Sequence, residues 1–133
     1  MSSIFTKIIH GEIPSYKVAE TDSCYAFLDI NPLAEGHVLA IPRKEVDYLF
    51  DVDDSIYSDL MLFSKNVALA IRKVIPCERI GVAVIGLEVP HAHVHLIPIN
   101  AIHDIDFSRP KLSFSELELQ ATADKILEAF ESA

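Results

Sequence analysis

The spacing of apolar and polar positions changes several times along the chain, and each change marks an element. Apolar residues at positions 4, 5, 8 and 9 predict a short helical turn over residues 4–9, ended by Gly11, with Pro14 beyond it. Residues 16–20 and 24–28 are short runs rich in aromatic and β-branched residues around the polar Thr21-Asp22-Ser23 turn, and they predict a strand hairpin. Asn31-Pro32 marks a loop, because a residue ahead of proline avoids the helical region. A third strand is predicted over residues 37–41, opened by Gly36 and closed by Pro42. Ile56, Leu60, Phe63, Val67, Ile71 and Val74 then recur at spacings of three and four, the stripe of a core-facing helix over about residues 55–75. Asp53 or Asp54 supplies its N-cap and Pro76 ends it, with Arg72 and Lys73 favourably placed in its last turn. The wholly apolar run at residues 80–85 predicts a central strand, and residues 92–99 predict another. A last helix spans about residues 115–130, with Ser113 and Glu116 at capping-box spacing. Strands, a long helix, strands and a C-terminal helix make an α+β fold with a largely antiparallel sheet.

Composition narrows the class. The chain has 133 residues, half of them hydrophobic and 23% charged, which predicts one globular domain over residues 1–133. Its net charge of −9 disfavours nucleic acid as a partner, because a phosphate backbone needs clustered Lys and Arg. A small nucleotide held by a local site is compatible with that charge. The longest apolar run, residues 80–87, falls short of the ~20 residues needed to span a bilayer, so no membrane partner is expected. Cys24 and Cys77 form no CxxC pair and suggest no disulfide framework, which fits a reducing, cytoplasmic setting.

The chemistry concentrates in one segment. Three of the six histidines, His91, His93 and His95, fall within five residues and alternate with Ala92, Val94 and Leu96. On a strand, alternate side chains share a face, so the imidazoles would form a row with the apolar residues behind them. Three readings follow. The histidines could be incidental, hydrogen-bonded members of a sheet face. They could ligate a metal, although neighbouring side chains on one strand rarely enclose an ion without ligands from elsewhere, and Glu88 is the obvious nearby carboxylate. Or one of them could be a nucleophile toward phosphorus.

The third reading rests on a resemblance. Residues 91–97, HAHVHLI, resemble the alternating motif of the histidine triad family, and three further blocks occur in family order: IFTKII with GEIP at residues 4–14, AFLDINP at 26–32 and GHVLAIP at 36–42. The resemblance covers about residues 4–98 and is nearest to the phosphoramidase-like and bacterial branch, which leaves residues 99–133 as a C-terminal extension. It implies a homodimer whose two sheets join, and a nucleotide hydrolase or nucleotidyltransferase acting at the α-phosphate of a nucleoside phosphoramidate or nucleotide anhydride. The expected partner is a small nucleotide with an AMP or GMP moiety, and no cofactor is expected. By position, His93 matches the nucleophile, His95 the residue at the phosphate or leaving group, and His91 and His37 the supporting histidines. Asp29 matches the carboxylate that holds the ribose hydroxyls. Phe5, Ile8, Phe27 and Ile30 match the apolar walls around the base.

The sequence also departs from the family pattern. Ahead of the triad, Leu87 stands where the family has a phosphate-contacting Gln, and Glu88 stands where it has a small hydroxyl residue. A carboxylate aimed at a phosphate would repel it. Ser3 and Thr6 occupy the positions of a Cys-X-X-Cys pair that helps hold zinc in many bacterial members, and hydroxyls are weak zinc ligands, so no structural zinc is expected. His103-Asp104 reads as a solvated loop, and the tail helix is a candidate cover for the cleft or a subunit contact.

Overall fold

The computed structural model describes residues 2–133. Five strands form one antiparallel sheet: β1 (Lys17–Glu20), β2 (Cys24–Leu28), β3 (Val38–Pro42), β4 (Arg79–Ala83) and β5 (Val94–Ile99). Their spatial order is β1-β2-β3-β5-β4. Helix α1 (Ile4–Ile9) precedes the sheet, the long helix α2 (Asp54–Val74) connects β3 to β4, and α3 (Glu116–Glu131) ends the chain.

Side-chain alternation divides the sheet into two faces. On one face Ala26, Leu28, Val38, Ala40, Val94 and Leu96 pack against Leu60, Phe63, Val67 and Ile71 of α2 and Leu119, Ala123 and Ile126 of α3. Each fully buried Leu or Ile there contributes about 1.5–3 kcal/mol. The helical stripe read from the sequence is the stripe that packs, with Ile56 and Val74 at its margins. On the other face Tyr25, Phe27, Leu39 and Ile41 pack with Phe5 of α1. His95 pairs with Leu39 across β3 and β5, so it belongs to this second face.

Some boundaries and roles differ from expectation. The apolar run at residues 80–85 is not a central strand: β4 is the edge of the sheet, with Val82 55% exposed. Its apolar residues do not report burial within this chain. The capping box of α3 is Ser115 with Glu118, not Ser113 with Glu116; Ser115 Oγ accepts from the Glu118 amide, and Glu118 returns the bond to the Ser115 amide. Asp53 is the N-cap of α2 but makes no side-chain cap bond. Strand β5 starts at Val94 rather than Ala92, because the Ala92 amide donates to the Val46 carbonyl at 2.7 Å and holds the preceding residues out of the ladder.

Candidate active site

All three triad imidazoles lie on the α1 side of the sheet and are buried, with His91 fully covered. Each ring is fixed by a partner that dictates its tautomer. The Pro42 carbonyl can only accept, so His91 Nε2–H donates to it at 2.8 Å. In the neutral ring His91 Nδ1 then accepts, and Ser3 Oγ–H donates to it at 2.9 Å. Burial lowers the pKa of His91, which favours that neutral form. His93 Nδ1–H donates to the His91 carbonyl at 2.8 Å, which leaves Nε2 as the free lone pair of the neutral ring. Phe5 closes the side of this pair, its ring centre 5.0 Å from His93 and 5.8 Å from His91, both edge-to-face.

A second chain of bonds runs through His37 and His95. The Leu33 amide donates to His37 Nδ1 at 3.0 Å, so the neutral ring of His37 carries its proton on Nε2. That proton points to His95 Nδ1, 3.0 Å away. His95 Nδ1 therefore accepts, and its own proton sits on Nε2. Burial, with help from His95 and Lys111, pushes the His37 pKa down to about 3. Burial, with help from His93, pushes His95 down to about 4. Both rings are neutral near pH 7, so the direction of the chain holds there. The Asp29 carboxylate stands 3.7 Å from His37 Nε2, too long for a hydrogen bond, and accepts instead from the Asn31 amide at 2.9 Å. Burial raises the Asp29 pKa.

These bonds bear on metal ligation. Both ring nitrogens of His91 are engaged with protein, so His91, His93 and His95 do not converge on one point as a ligand set. Asp29, His37 and His95 do offer ligand atoms within 4.8 Å of one another. For His37 Nε2 to ligate, its proton would have to move to Nδ1, where the Leu33 amide already donates. That arrangement suits a proton-directed imidazole chain better than a cation.

Ser3 does more than cap α1. Its Oγ accepts from the Thr6 amide at 3.1 Å while donating to His91, and its amide donates to Glu45 Oε1 at 2.6 Å. Thr6 Oγ1 donates to the same carboxylate oxygen at 2.7 Å. The Ser3 amide bond and then the Thr6 bond hold the Glu45 carboxyl down at about 2. Glu45 thus ties β3's exit to α1 beside His91.

His93 and His95 open onto a cleft of about 310 Å³, lined also by Asp29, Asn31 and His37 and by the loop that carries Gly86, Leu87 and Glu88. Gly86 takes a left-handed backbone angle, φ 72°, at the turn of this loop. The Leu87 side chain is 88% exposed, so it supplies apolar surface where the family pattern has a polar donor. Glu88 also lines the cleft and is exposed. Of the expected base walls, Phe5 and Phe27 are buried against each other at 5.4 Å, Ile8 packs on the same cluster, and Ile30 is exposed next to Asp29. His103 is exposed, as expected for a solvated position, although it sits in a short 3-10 turn, Ile102–Ile105.

Residues 10–102 match the HIT domain family. The chain belongs to the HIT family. It is 44% identical over 96 residues to an adenosine 5'-monophosphoramidase of Saccharomyces cerevisiae, covering 71% of this chain and 61% of that one. It is 33% identical over 132 residues to the adenosine 5'-monophosphoramidase of Schizosaccharomyces pombe, covering 95% and 96%. A crystal structure of a Hit-like protein from Bartonella henselae superposes with a TM-score of 0.82 at 32% identity, covering 96% of each chain. The antiparallel α+β architecture is thus a HIT fold. The matched HIT region holds Asp29, His37, Glu45 and the three triad histidines, whereas Ser3 and Phe5 precede it and Phe107 and Lys111 follow it. Phe107 and Lys111 also line the cleft, and no motif in the sequence marked either of them.

Proposed function

We propose that this HIT-family protein hydrolyses a nucleoside phosphoramidate or nucleotide anhydride at its α-phosphate through a nucleotidyl-His93 intermediate. The observation that carries the reading is the pair of fixed tautomers, a free lone pair on His93 Nε2 and a proton on His95 Nε2, bordering one cleft. His93 Nε2 attacks phosphorus, forming the P–N bond as the bond to the leaving group breaks. His95 Nε2–H gives its proton to the departing amine or phosphate, and the vacated nitrogen then takes a proton from the water that cleaves the P–N bond. His37 holds His95 in the donating tautomer, and His91 holds His93 through its carbonyl. Asp29 accepts from the ribose hydroxyls, and Phe5, Ile8, Phe27 and Ile30 flank the base. The curated relatives named adenosine 5'-monophosphoramidase support an AMP-type substrate.

We also infer a homodimer joined through β4, in a reducing, cytoplasmic setting that suits the free thiols Cys24 and Cys77. Strand β4 has an open edge, with Val82 exposed on it and Val84 and Ile85 exposed just past its end, an arrangement that natural edges avoid unless they are covered. Among the described residues no helix is long and apolar enough to cross a membrane.

The test is AMP release from an adenosine phosphoramidate and from a dinucleoside polyphosphate, with chelator present, by the native chain and by His93→Ala. Release by the native chain that is lost in the variant supports the reading. AMP binding without release from either substrate would make the protein a binding module. Activity that returns only with zinc or manganese would make Asp29, His37 and His95 a metal site.

A further inference from the structure

The cleft holds more negative than positive charge where a phosphate would sit. Asp29 and Glu88 line it, the protein carries a net charge of −9, and Leu87 contributes no donor. Lys111 is the one Lys or Arg among the described lining residues, and its charge is directed to the Asp29 side. It opposes the burial that raises the Asp29 pKa and adds to the burial that lowers that of His37. At His95 the charge that adds to burial is that of His93. The His95 side of the cleft is thus without a permanent cation among the described residues.

The free edge of the sheet offers one. Phe27, Leu39, His95 and Ala83 stand side by side in register, and they share the face of the cleft. β4 is the last strand of this row, so the position beyond Ala83 belongs to whatever pairs with β4. Alternation puts Gly81 and Arg79 on the same face as Ala83. Gly81 is covered there by its own chain, since a Cβ on it would meet Ile105 Cδ1 at 2.8 Å and Ile99 Cδ1 at 3.0 Å. Ala83 presents only a methyl group beside His95, so a long side chain beyond it can lean across. Arg79 is exposed and, among the described residues, takes part in no ion pair.

The homodimer inferred above fixes what stands beyond Ala83. About a two-fold axis normal to the sheet, residue i of one β4 faces residue j of the other with a constant sum of i and j, and both clefts stay on one face. Pairing the whole strand, Arg79–Ala83, puts the axis at Gly81. Val82 then faces the partner's Ile80, an apolar pair on the helix side, and Ala83 faces the partner's Arg79. With strands about 4.8 Å apart, the backbone of the partner's Arg79 lies about 10 Å from that of His95, a gap that an extended arginine and a phosphate oxygen span together.

We propose that the partner's Arg79 reaches over Ala83 to the α-phosphate held between His93 and His95, so that each cleft of the dimer is completed by the other chain. This inference rests on the hydrolase and homodimer readings. A guanidinium is permanently charged and donates in a fork that matches two phosphate oxygens, which suits a group that balances charge without moving a proton. The bonds made and broken remain those of the His93 reaction, and the partner's Arg79 offsets charge on the non-bridging oxygens through the transition state. His93 and His95 belong to one chain, so loss of the partner's Arg79 slows turnover without abolishing it.

The experiment uses Arg79→Gln, Arg79→Lys and His93→Ala with adenosine phosphoramidate as substrate. Arg79→Gln should keep the mass of a dimer by light scattering and lose at least tenfold in kcat/KM, and Arg79→Lys should lose less. Arg79→Gln and His93→Ala chains are then co-expressed with different tags and purified as mixed dimers. Each mixed dimer has one intact His93 that faces an intact Arg79 on the other chain, and it should regain about half the native rate. Mixed dimers no faster than Arg79→Gln would place the role of Arg79 within its own chain and overturn the proposal. A native rate in Arg79→Gln, or its collapse to monomers, overturns it as well. AMP affinity reads the same contact without turnover and should fall at least tenfold in Arg79→Gln. A native protein that releases no AMP refutes the hydrolase reading, and the fall in affinity would still support the contact; an unchanged affinity would overturn it. A monomeric native protein refutes the dimer reading and this proposal with it.

Discussion

His37 Nε2 lies 3.0 Å from His95 Nδ1, and the direction of that hydrogen bond is set from behind by the Leu33 amide. A backbone N–H cannot reverse its role, so it fixes the His37 tautomer, and His37 fixes that of His95. His37→Leu should therefore reduce kcat about 10–100-fold, as seen when the partner of a metal-bound imidazole is removed. KM should change little, because His37 itself is buried beneath the site. His37→Asn keeps a donor and an acceptor and should recover part of the loss. Steady-state kinetics on an adenosine phosphoramidate decides the point, and an unchanged kcat in the Leu variant would remove His37 from the mechanism.

A corresponding argument applies to Ser3 under His91. Ser3→Ala deletes the N-cap acceptor of α1 and the donor to His91 Nδ1, which leaves a buried nitrogen unpaired. The cap costs about 1 kcal/mol and the unpaired group about 1–3 kcal/mol. Urea unfolding should show the destabilisation, and Ser3→Thr should show less of it. The hydroxyls, Glu45 and His91 already satisfy one another, so chelator should leave the native melting temperature unchanged. A chelator-induced drop, with zinc released at one per chain, would show that this cluster holds a metal.

What the sequence revealed, and what it hid, follows from the range of the interactions. The α2 stripe and the alternation of His91, His93 and His95 with Ala92, Val94 and Leu96 are local periodicities, and both faces came out as read. The placing of β4 failed because an apolar strand looks the same whether its own chain or another surface covers it. Asp29 and His37 were legible only through resemblance, since what joins them to His95 is the pairing of β3 with β5. Glu45, Phe107 and Lys111 carried no signal at all. Glu45 and Phe107 find their partners across the fold, at the start of α1 and on β5, and Lys111, bonded to the nearby Phe107 and Arg109 carbonyls, lines the cleft only because its segment folds back over it.

The buried histidines make stability depend on pH. His37 and His95 have folded pKa values of about 3 and about 4 against an ordinary 6.5, so the fold favours their neutral forms. Their contribution is complete above about pH 6.5 and is lost as pH falls toward the folded values. Between pH 6.5 and about 4.5 the unfolded chain binds the extra protons, at roughly 1.4 kcal/mol per pH unit for each group. Burial raises the Asp29 pKa and so opposes the trend, and Glu45, held down at about 2, adds to it only below its ordinary 4.5. Melting temperature should fall steadily from pH 6.5 to 4.5, and the slope should shrink in His37→Asn. A flat profile over that window would mean the rings are not held neutral.

The exposed edge of β4 bears on assembly. Val82, at 55% exposure, stands on a strand whose free side presents unpaired backbone groups, Val84 is exposed just past its end, and Leu62 and Leu69 on α2 are also exposed. An isolated edge of this kind invites pairing, so a partner that continues the sheet would satisfy both the backbone and the apolar side chains. Val82→Lys places a charge in that contact at little cost to the monomer, where the side chain already faces solvent. Light scattering should give about twice the chain mass for the native protein and shift toward the monomer for Val82→Lys. The His93 and His95 cleft is built within one chain, so the monomeric variant should keep measurable AMP release. A native protein that is monomeric at micromolar concentration, or a Val82→Lys variant that stays dimeric, would exclude β4 as the joining edge.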